Sequence, residues 1–83
     1  MYYVYILECA DGTFYIGSTN DLEKRVYAHN HSPRGAKYTR GRRPVVMRYH
    51  EAVGDIGAAR SREVALKRLT RNEKMLFLQD AES

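Results

Sequence analysis

The chain has 83 residues, the size of one domain, and a chain this short buries only about 60% of the surface that its unfolded form exposes. Its single cysteine, Cys9, excludes an intrachain disulfide and any multi-cysteine metal centre. No apolar run approaches the roughly 20 residues that span a bilayer, and the start Met1-Tyr2-Tyr3-Val4-Tyr5 lacks the basic opening of a secretory signal. The expectation is one soluble, cytoplasmic domain over residues 1–83, with a frayed end from about residue 80. Lys and Arg number 14 against 10 Asp and Glu, a formal charge of +4, but its distribution says more than the total. No acidic residue lies between Glu23 and Glu51, whereas Lys24, Arg25, Arg34, Lys37, Arg40, Arg42, Arg43 and Arg48 all do, with the three histidines. Nucleic acid is the commonest partner of such a stripe; a solvated basic loop is the plainer alternative.

In chain order, residues 2–9 are aromatic and β-branched and end at Ala10-Asp11-Gly12-Thr13, where Asp-Gly signals a hairpin. The next strand, Thr13-Phe14-Tyr15-Ile16-Gly17, puts Phe14 and Ile16 on one face and Thr13, Tyr15 and Gly17 on the other. Tyr3, Tyr5 and Leu7 share a face of the first strand. An isolated hairpin is marginal in water, and Val45 to His50 is the one good candidate for a third strand. Asn20-Asp21-Leu22-Glu23 resembles a capping box with Asn20 as cap. It opens a helix over about 21–31 with Leu22 and Val26 as its apolar stripe, ended by Pro33 and Gly35. Residues 32–44 form a charged loop, a length that is usually functional or disordered. Asp55 opens a second helix to about Leu69, and Thr70-Arg71-Asn72-Glu73 is a capping box for a third. The expected class is α+β: a small three-stranded antiparallel sheet flanked by about three helices.

Three features bear on chemistry. Ile56, Ala59 and Leu66 lie at i−7, i−4 and i+3 from Glu63 and set this carboxylate in a helix's apolar stripe. A charge so placed needs a partner, either an arginine or a divalent cation, since Mg²⁺ is often held by one or two carboxylates plus water and phosphate. Arg25 and His29 are four apart on the first helix. A guanidinium can clamp a phosphate and an imidazole can take a proton, although the same pair can also be solvated decoration. The seven tyrosines, with no tryptophan, pack well in strands. Tyr5 and Tyr15 share a sheet face if the hairpin register allows, and a phenol acting as base needs cations or activated water beside it. Tyr38, in the basic loop, can stack on a base or anchor the loop.

Tyr3-Val4-Tyr5, Tyr15-Ile16-Gly17-Ser18-Thr19-Asn20-Asp21-Leu22, Arg25-x-x-x-His29-Asn30, Gly35-Ala36-Lys37-Tyr38-Thr39 and Arg62-Glu63 together resemble the GIY-YIG nuclease superfamily. The resemblance runs from Tyr3 to about Leu78 and is strongest to the short, single-domain bacterial branch; the glycine that opens the family's first motif is Tyr3 here. It implies a small sheet flanked by helices with a one-metal hydrolytic site on the sheet surface. It further implies Tyr5 as general base, Tyr15 positioning water or phosphate, Arg25 as phosphate clamp, His29 as proton acceptor and Glu63 as ligand of Mg²⁺ or Mn²⁺. Gly17 closes the second motif, where a side chain would crowd the site or the backbone. The resulting reading is a monomeric, metal-dependent endonuclease, with DNA the first choice of substrate and repair one setting in which relatives of this module work. Lys37, Tyr38, Arg40, Arg42 and Arg43 are its nucleic-acid contacts. Repair, homing and restriction relatives add domains for target choice, so specificity here falls to the basic loop or a protein partner. The alternative is a binding module for nucleic acid or an acidic protein, with a vestigial site.

Overall fold

The computed structural model describes residues 1–32 and 37–82. Strand β1 (Tyr2–Cys9) turns through Asp11-Gly12 into β2 (Phe14–Thr19). Gly12 has φ of 83°, a left-handed conformation that glycine adopts without steric cost. Asp11 Oδ1 accepts from the Thr13 amide and hydroxyl, which closes the turn. Helix α1 (Leu22–His31) follows, then a single turn of helix α2 (Lys37–Arg40), strand β3 (Val45–Val53), and helices α3 (Ile56–Lys67) and α4 (Arg71–Glu82). The sheet is antiparallel throughout, in the order β2-β1-β3. Fold class and strand number are as expected; the helices are four rather than about three, because the loop of residues 32–44 contains α2.

Two layers of side chains leave the sheet in opposite directions. On one face Val4, Ile6 and Ile16 meet Ala59 and Leu66 of α3 and Leu78 of α4, with Phe14, Tyr49, Val53 and Phe77 packed around them. On the other, Tyr5, Leu7, Cys9 and Val45 are joined by Tyr15, Met47 and the Leu22 and Val26 stripe of α1. The pairing of β1 with β3 slips between Ile6 and Leu7: Ile6 faces Tyr49 and Leu7 faces Met47, with Arg48 left over. This β-bulge reverses the alternation of β3. As a result Val45 and Met47 point to the α1 layer while Tyr49 and Val53 point to the α3/α4 layer.

Local chemistry sets the helix ends, with two departures from expectation. Asp21, not Asn20, caps α1, its side chain accepting from the Lys24 amide. With the cap at Asp21 the residue three on is Lys24, so the expected box of Asn20 with Glu23 is not formed, and the Asp21 amide donates to the Thr19 hydroxyl. The second box is complete, with the Thr70 amide donating to Glu73 Oε1 and the Glu73 amide to Thr70 Oγ1. The expected stop at Pro33 and Gly35 lies outside the described residues. The expected frayed end is instead helical as far as Glu82, whose carboxylate meets Arg48 at 3.0 Å. Arg48, the bulge residue, also pairs with Glu8 on β1, so one guanidinium ties two strands to the last turn of α4.

Candidate active site

The α1 face of the sheet is polar where the apolar layer ends. Register decides this: Tyr5 pairs with Gly17 and Leu7 with Tyr15, so Tyr5, Tyr15 and Gly17 share one face. The two tyrosine rings lie 6.4 Å apart. A Cβ on Gly17 would stand 2.5 Å from the Tyr5 hydroxyl and 3.1 Å from the Tyr15 ring. The glycine is thus required by the close passage of Tyr5 over β2 and not by its own backbone angles.

Helix α1 brings His29 onto this face. The imidazole is fully buried, 5.0 Å from the Tyr15 ring, with Nε2 at 2.9 Å from the Tyr5 hydroxyl and Nδ1 at 2.9 Å from Thr39 Oγ1. A solvated Arg25/His29 pair is therefore ruled out for the histidine. Burial, then the charges of Arg25 and Arg43, depress the imidazole to about 4, so it is neutral at ordinary pH. Burial pushes the Tyr5 phenol up to about 12, opposed by the neighbouring Arg25 guanidinium and reinforced by Tyr15 and by the negative charge of Glu63. Proton placement follows. The Tyr5 phenol keeps its proton at ordinary pH, and His29 Nε2 at 2.9 Å faces it as acceptor. A neutral imidazole with a bare Nε2 carries its proton on Nδ1, which then donates to Thr39.

Two residues seat α1 on the sheet, Asn30, which is outside the expected set, and Arg43, which is within it. Asn30 donates through Nδ2 to the Val45 carbonyl at 3.1 Å and accepts the Val45 amide through Oδ1 at 2.7 Å, coupling helix to strand as a third strand would. Arg43 donates to the carbonyls of His29 at 2.6 Å and of Ser32 at 2.5 Å. Its guanidinium satisfies acceptors that a helix end leaves open, which gives this expected nucleic-acid contact a structural job. Arg42 is ion-paired with Asp11 at 3.0 Å, donates to the Tyr38 carbonyl at 2.7 Å, and lies 4.1 Å over the Tyr38 ring. Tyr38 in turn is 5.9 Å from Tyr15, a loop anchor with an exposed edge. Lys37 and Arg40 are exposed. Thr39 and Asn30 each had a signal in sequence, since both lie inside motif fragments, but their partners are distant along the chain.

Glu63 sits on α3 with its side chain 22% exposed and Lys67 Nζ at 3.8 Å. The stripe argument holds for Ala59 and Leu66, both fully buried, but Ile56 is 47% exposed. Of the two partners considered, no arginine pairs with Glu63 among the described residues; Arg62 beside it is engaged with Glu51 at 2.9 Å. Among the described residues no group of three or more His, Cys, Asp or Glu is arranged to hold a metal ion, so Glu63 would be a single protein ligand. A half-shielded carboxylate with one long contact to a flexible lysine fits the donor that Mg²⁺ or Mn²⁺ takes when water and phosphate complete its shell.

A small antiparallel sheet with helices on both faces, and a cluster of Tyr5, Tyr15 and His29 beside Arg25 where α1 crosses its hairpin, with Glu63 of α3 near enough for its charge to bear on Tyr5, defines a compact α+β domain with a site suited to phosphate chemistry. The sequence matches the GIY-YIG catalytic domain over residues 1–76, and the chain belongs to that family. A UPF0213 protein of Clostridium perfringens is 55% identical over 94% of this chain and 83% of its own length. One from Bacillus pumilus is 48% identical over 95% and 80%. The solution structure of a UPF0213 protein from Bacillus halodurans superposes with a TM-score of 0.60 at 41% identity, covering 95% of this chain and 84% of that one. A protein of E. faecalis gives 0.65 at 40% identity, over 98% and 85%. Among the described residues no helix is long and apolar enough to cross a membrane.

Proposed function

We propose that residues 1–83 act as one domain that hydrolyses phosphodiester bonds in nucleic acid, DNA first, with a divalent cation on Glu63. The observation that carries this reading is the buried Tyr5–His29 hydrogen bond of 2.9 Å, with the charge of Arg25 acting on both groups. A phenol at about 12 is a poor standing base, and an imidazole at about 4 is a poor one alone. Together they relay: Tyr5 takes a proton from the attacking water as its own passes to His29 Nε2. The water oxygen forms the new bond to phosphorus, and the departing sugar oxygen takes a proton from solvent.

Arg25 has two tasks in this scheme. Its guanidinium binds the phosphate and stabilises the charge that grows on it. Before substrate binds, the same positive charge helps to hold His29 down; a phosphate on Arg25 offsets that charge and makes the imidazole a better acceptor when one is needed. Tyr15, beside both His29 and Tyr38, orients the water or phosphate. Glu63 would hold the cation, which when bound would offset the negative charge that grows on the phosphate. Exposed Lys37 and Arg40, with the Tyr38 edge, carry the strand, while Arg42 contributes through Tyr38. A cytoplasmic monomer with specificity set by this segment or by a protein partner completes the proposal.

The test is a panel of supercoiled plasmid, single strands, branched DNA and RNA with Mg²⁺ or Mn²⁺, comparing the wild type with Glu63→Gln. Metal-dependent cleavage that falls by about 10²-fold or more in the variant, with folding and binding retained, is the expected result. A wild type that binds every substrate and cuts none would replace this reading with that of a binding module.

A further inference from the structure

We propose that Thr39 is a positioning residue of this site: its hydroxyl accepts the Nδ1–H of His29 and so holds the imidazole in the tautomer whose bare Nε2 faces the Tyr5 hydroxyl. This deepens the hydrolytic reading and rests on it for its catalytic consequence, but the hydrogen-bond arrangement stands independently of any activity. Thr39 is fully buried, as are Tyr5 and His29. The three side chains form a line in which Tyr5 Oη, His29 Nε2, His29 Nδ1 and Thr39 Oγ1 are joined by two contacts of 2.9 Å each. Tyr5 keeps its phenolic proton, and His29 Nε2 at 2.9 Å faces that hydroxyl. With the phenol donating to a neutral imidazole, the ring proton sits on Nδ1 and the threonine oxygen is its acceptor at 2.9 Å. The tautomer of a histidine is set by the bond its other nitrogen makes.

The position of Thr39 gives the contact a second meaning. It lies on α2, the one-turn helix whose exposed residues Lys37 and Arg40 flank it on either side. The segment proposed to carry the nucleic acid strand therefore also holds the acceptor that orients the proton relay. Arg42 over Tyr38, and Tyr38 against Tyr15, keep that turn seated above the hairpin. A threonine that only fills space would be replaced by valine, its near isostere, at little cost to the histidine. An acceptor would not, because Nδ1–H would then be buried without a partner.

The experiment reads the tautomer directly, by long-range ¹H–¹⁵N correlation of histidine-labelled protein at neutral pH. In the wild type, His29 is expected as the Nδ1–H form. In Thr39→Val its population moves toward Nε2–H, and Thr39→Ser restores the wild-type pattern. Turnover on the best substrate of the panel falls about tenfold or more in Thr39→Val, with KM changed by no more than about threefold, and returns in Thr39→Ser. Nε2–H in the wild type overturns the proposal without need of any variant. So does a Val variant with unchanged tautomer, whatever its rate. If the tautomer behaves as stated but the wild type cleaves nothing, the positioning contact stands and the hydrolytic reading fails.

Discussion

The two faces of the sheet are built from the same three strands and serve opposite ends. Toward α3 and α4 the sheet presents Val4, Ile6 and Ile16, covered by Ala59, Leu66 and Leu78, all buried and apolar. Toward α1 it presents Tyr5, with Tyr15 beside it, and these meet a fully buried His29 from α1 and Thr39 from α2. Burial of apolar area stabilises at roughly 25 cal/mol per Å², whereas buried polar groups contribute only what their hydrogen bonds return. In a chain of 83 residues the first face must supply the stability that lets the second hold unprotonated, desolvated groups ready for chemistry.

The sharpest way to break this division is through its apolar half. Leu66→Ala is expected to destabilise the fold by about 2–5 kcal/mol, read as a lowered urea midpoint, while the relay geometry on the opposite face survives in whatever fraction remains folded. A loss below about 1 kcal/mol would mean that the α3 layer is not where stability resides.

The cost of the polar half is legible in pH. His29 is held at about 4 against an ordinary 6.5, so the unfolded chain binds a proton that the folded chain refuses. Stability from this group is therefore complete above about 6.5 and is lost as pH falls toward 4, a change on the order of 3 kcal/mol. Urea midpoints across that window should fall more steeply for the wild type than for His29→Gln. Equal slopes would show that the imidazole titrates freely in the folded protein.

Gly17→Ala is a smaller and more pointed change. The new methyl would meet the Tyr5 hydroxyl at 2.5 Å, its ring at 2.8 Å and the Tyr15 ring at 3.1 Å, so Tyr5 must move away from β2. The expected cost is about 1–3 kcal/mol of stability, accompanied by loss of the Tyr5–His29 bond, visible as a changed His29 tautomer. A variant of wild-type stability and tautomer would show that the hairpin opens to accept the methyl.

Much of the architecture is legible along the chain because its causes are local. Asp11-Gly12 makes the hairpin, Asp55 caps α3 with an accepted bond from the Ala58 amide at 2.8 Å, and Thr70 and Glu73 close a reciprocal box. The α1 cap falls at Asp21, one residue beyond Asn20, where its side chain takes the Lys24 amide and its own amide donates to the Thr19 hydroxyl. The end of α4 is held by a non-local contact that no local signal carries: Glu82 meets Arg48, 34 residues away.

The site divides in the same way. Helical spacing by itself placed Arg25 and His29 on one side of α1, and an apolar stripe placed Glu63 among Ala59 and Leu66. The family pattern joined them to Tyr5 and Tyr15 as a set, which no local rule could do. What only the tertiary structure decided is the set of partners: the register that lays Tyr5 across Gly17, the Arg48 bulge that sends Met47 and Tyr49 to opposite layers, and the Thr39 hydroxyl behind His29. Turns and caps are chosen within a few residues by backbone angles and nearby donors, so sequence determines them. Register, bulges and buried hydrogen bonds are chosen by which distant segments can exclude water together, and that choice exists only once the chain has folded.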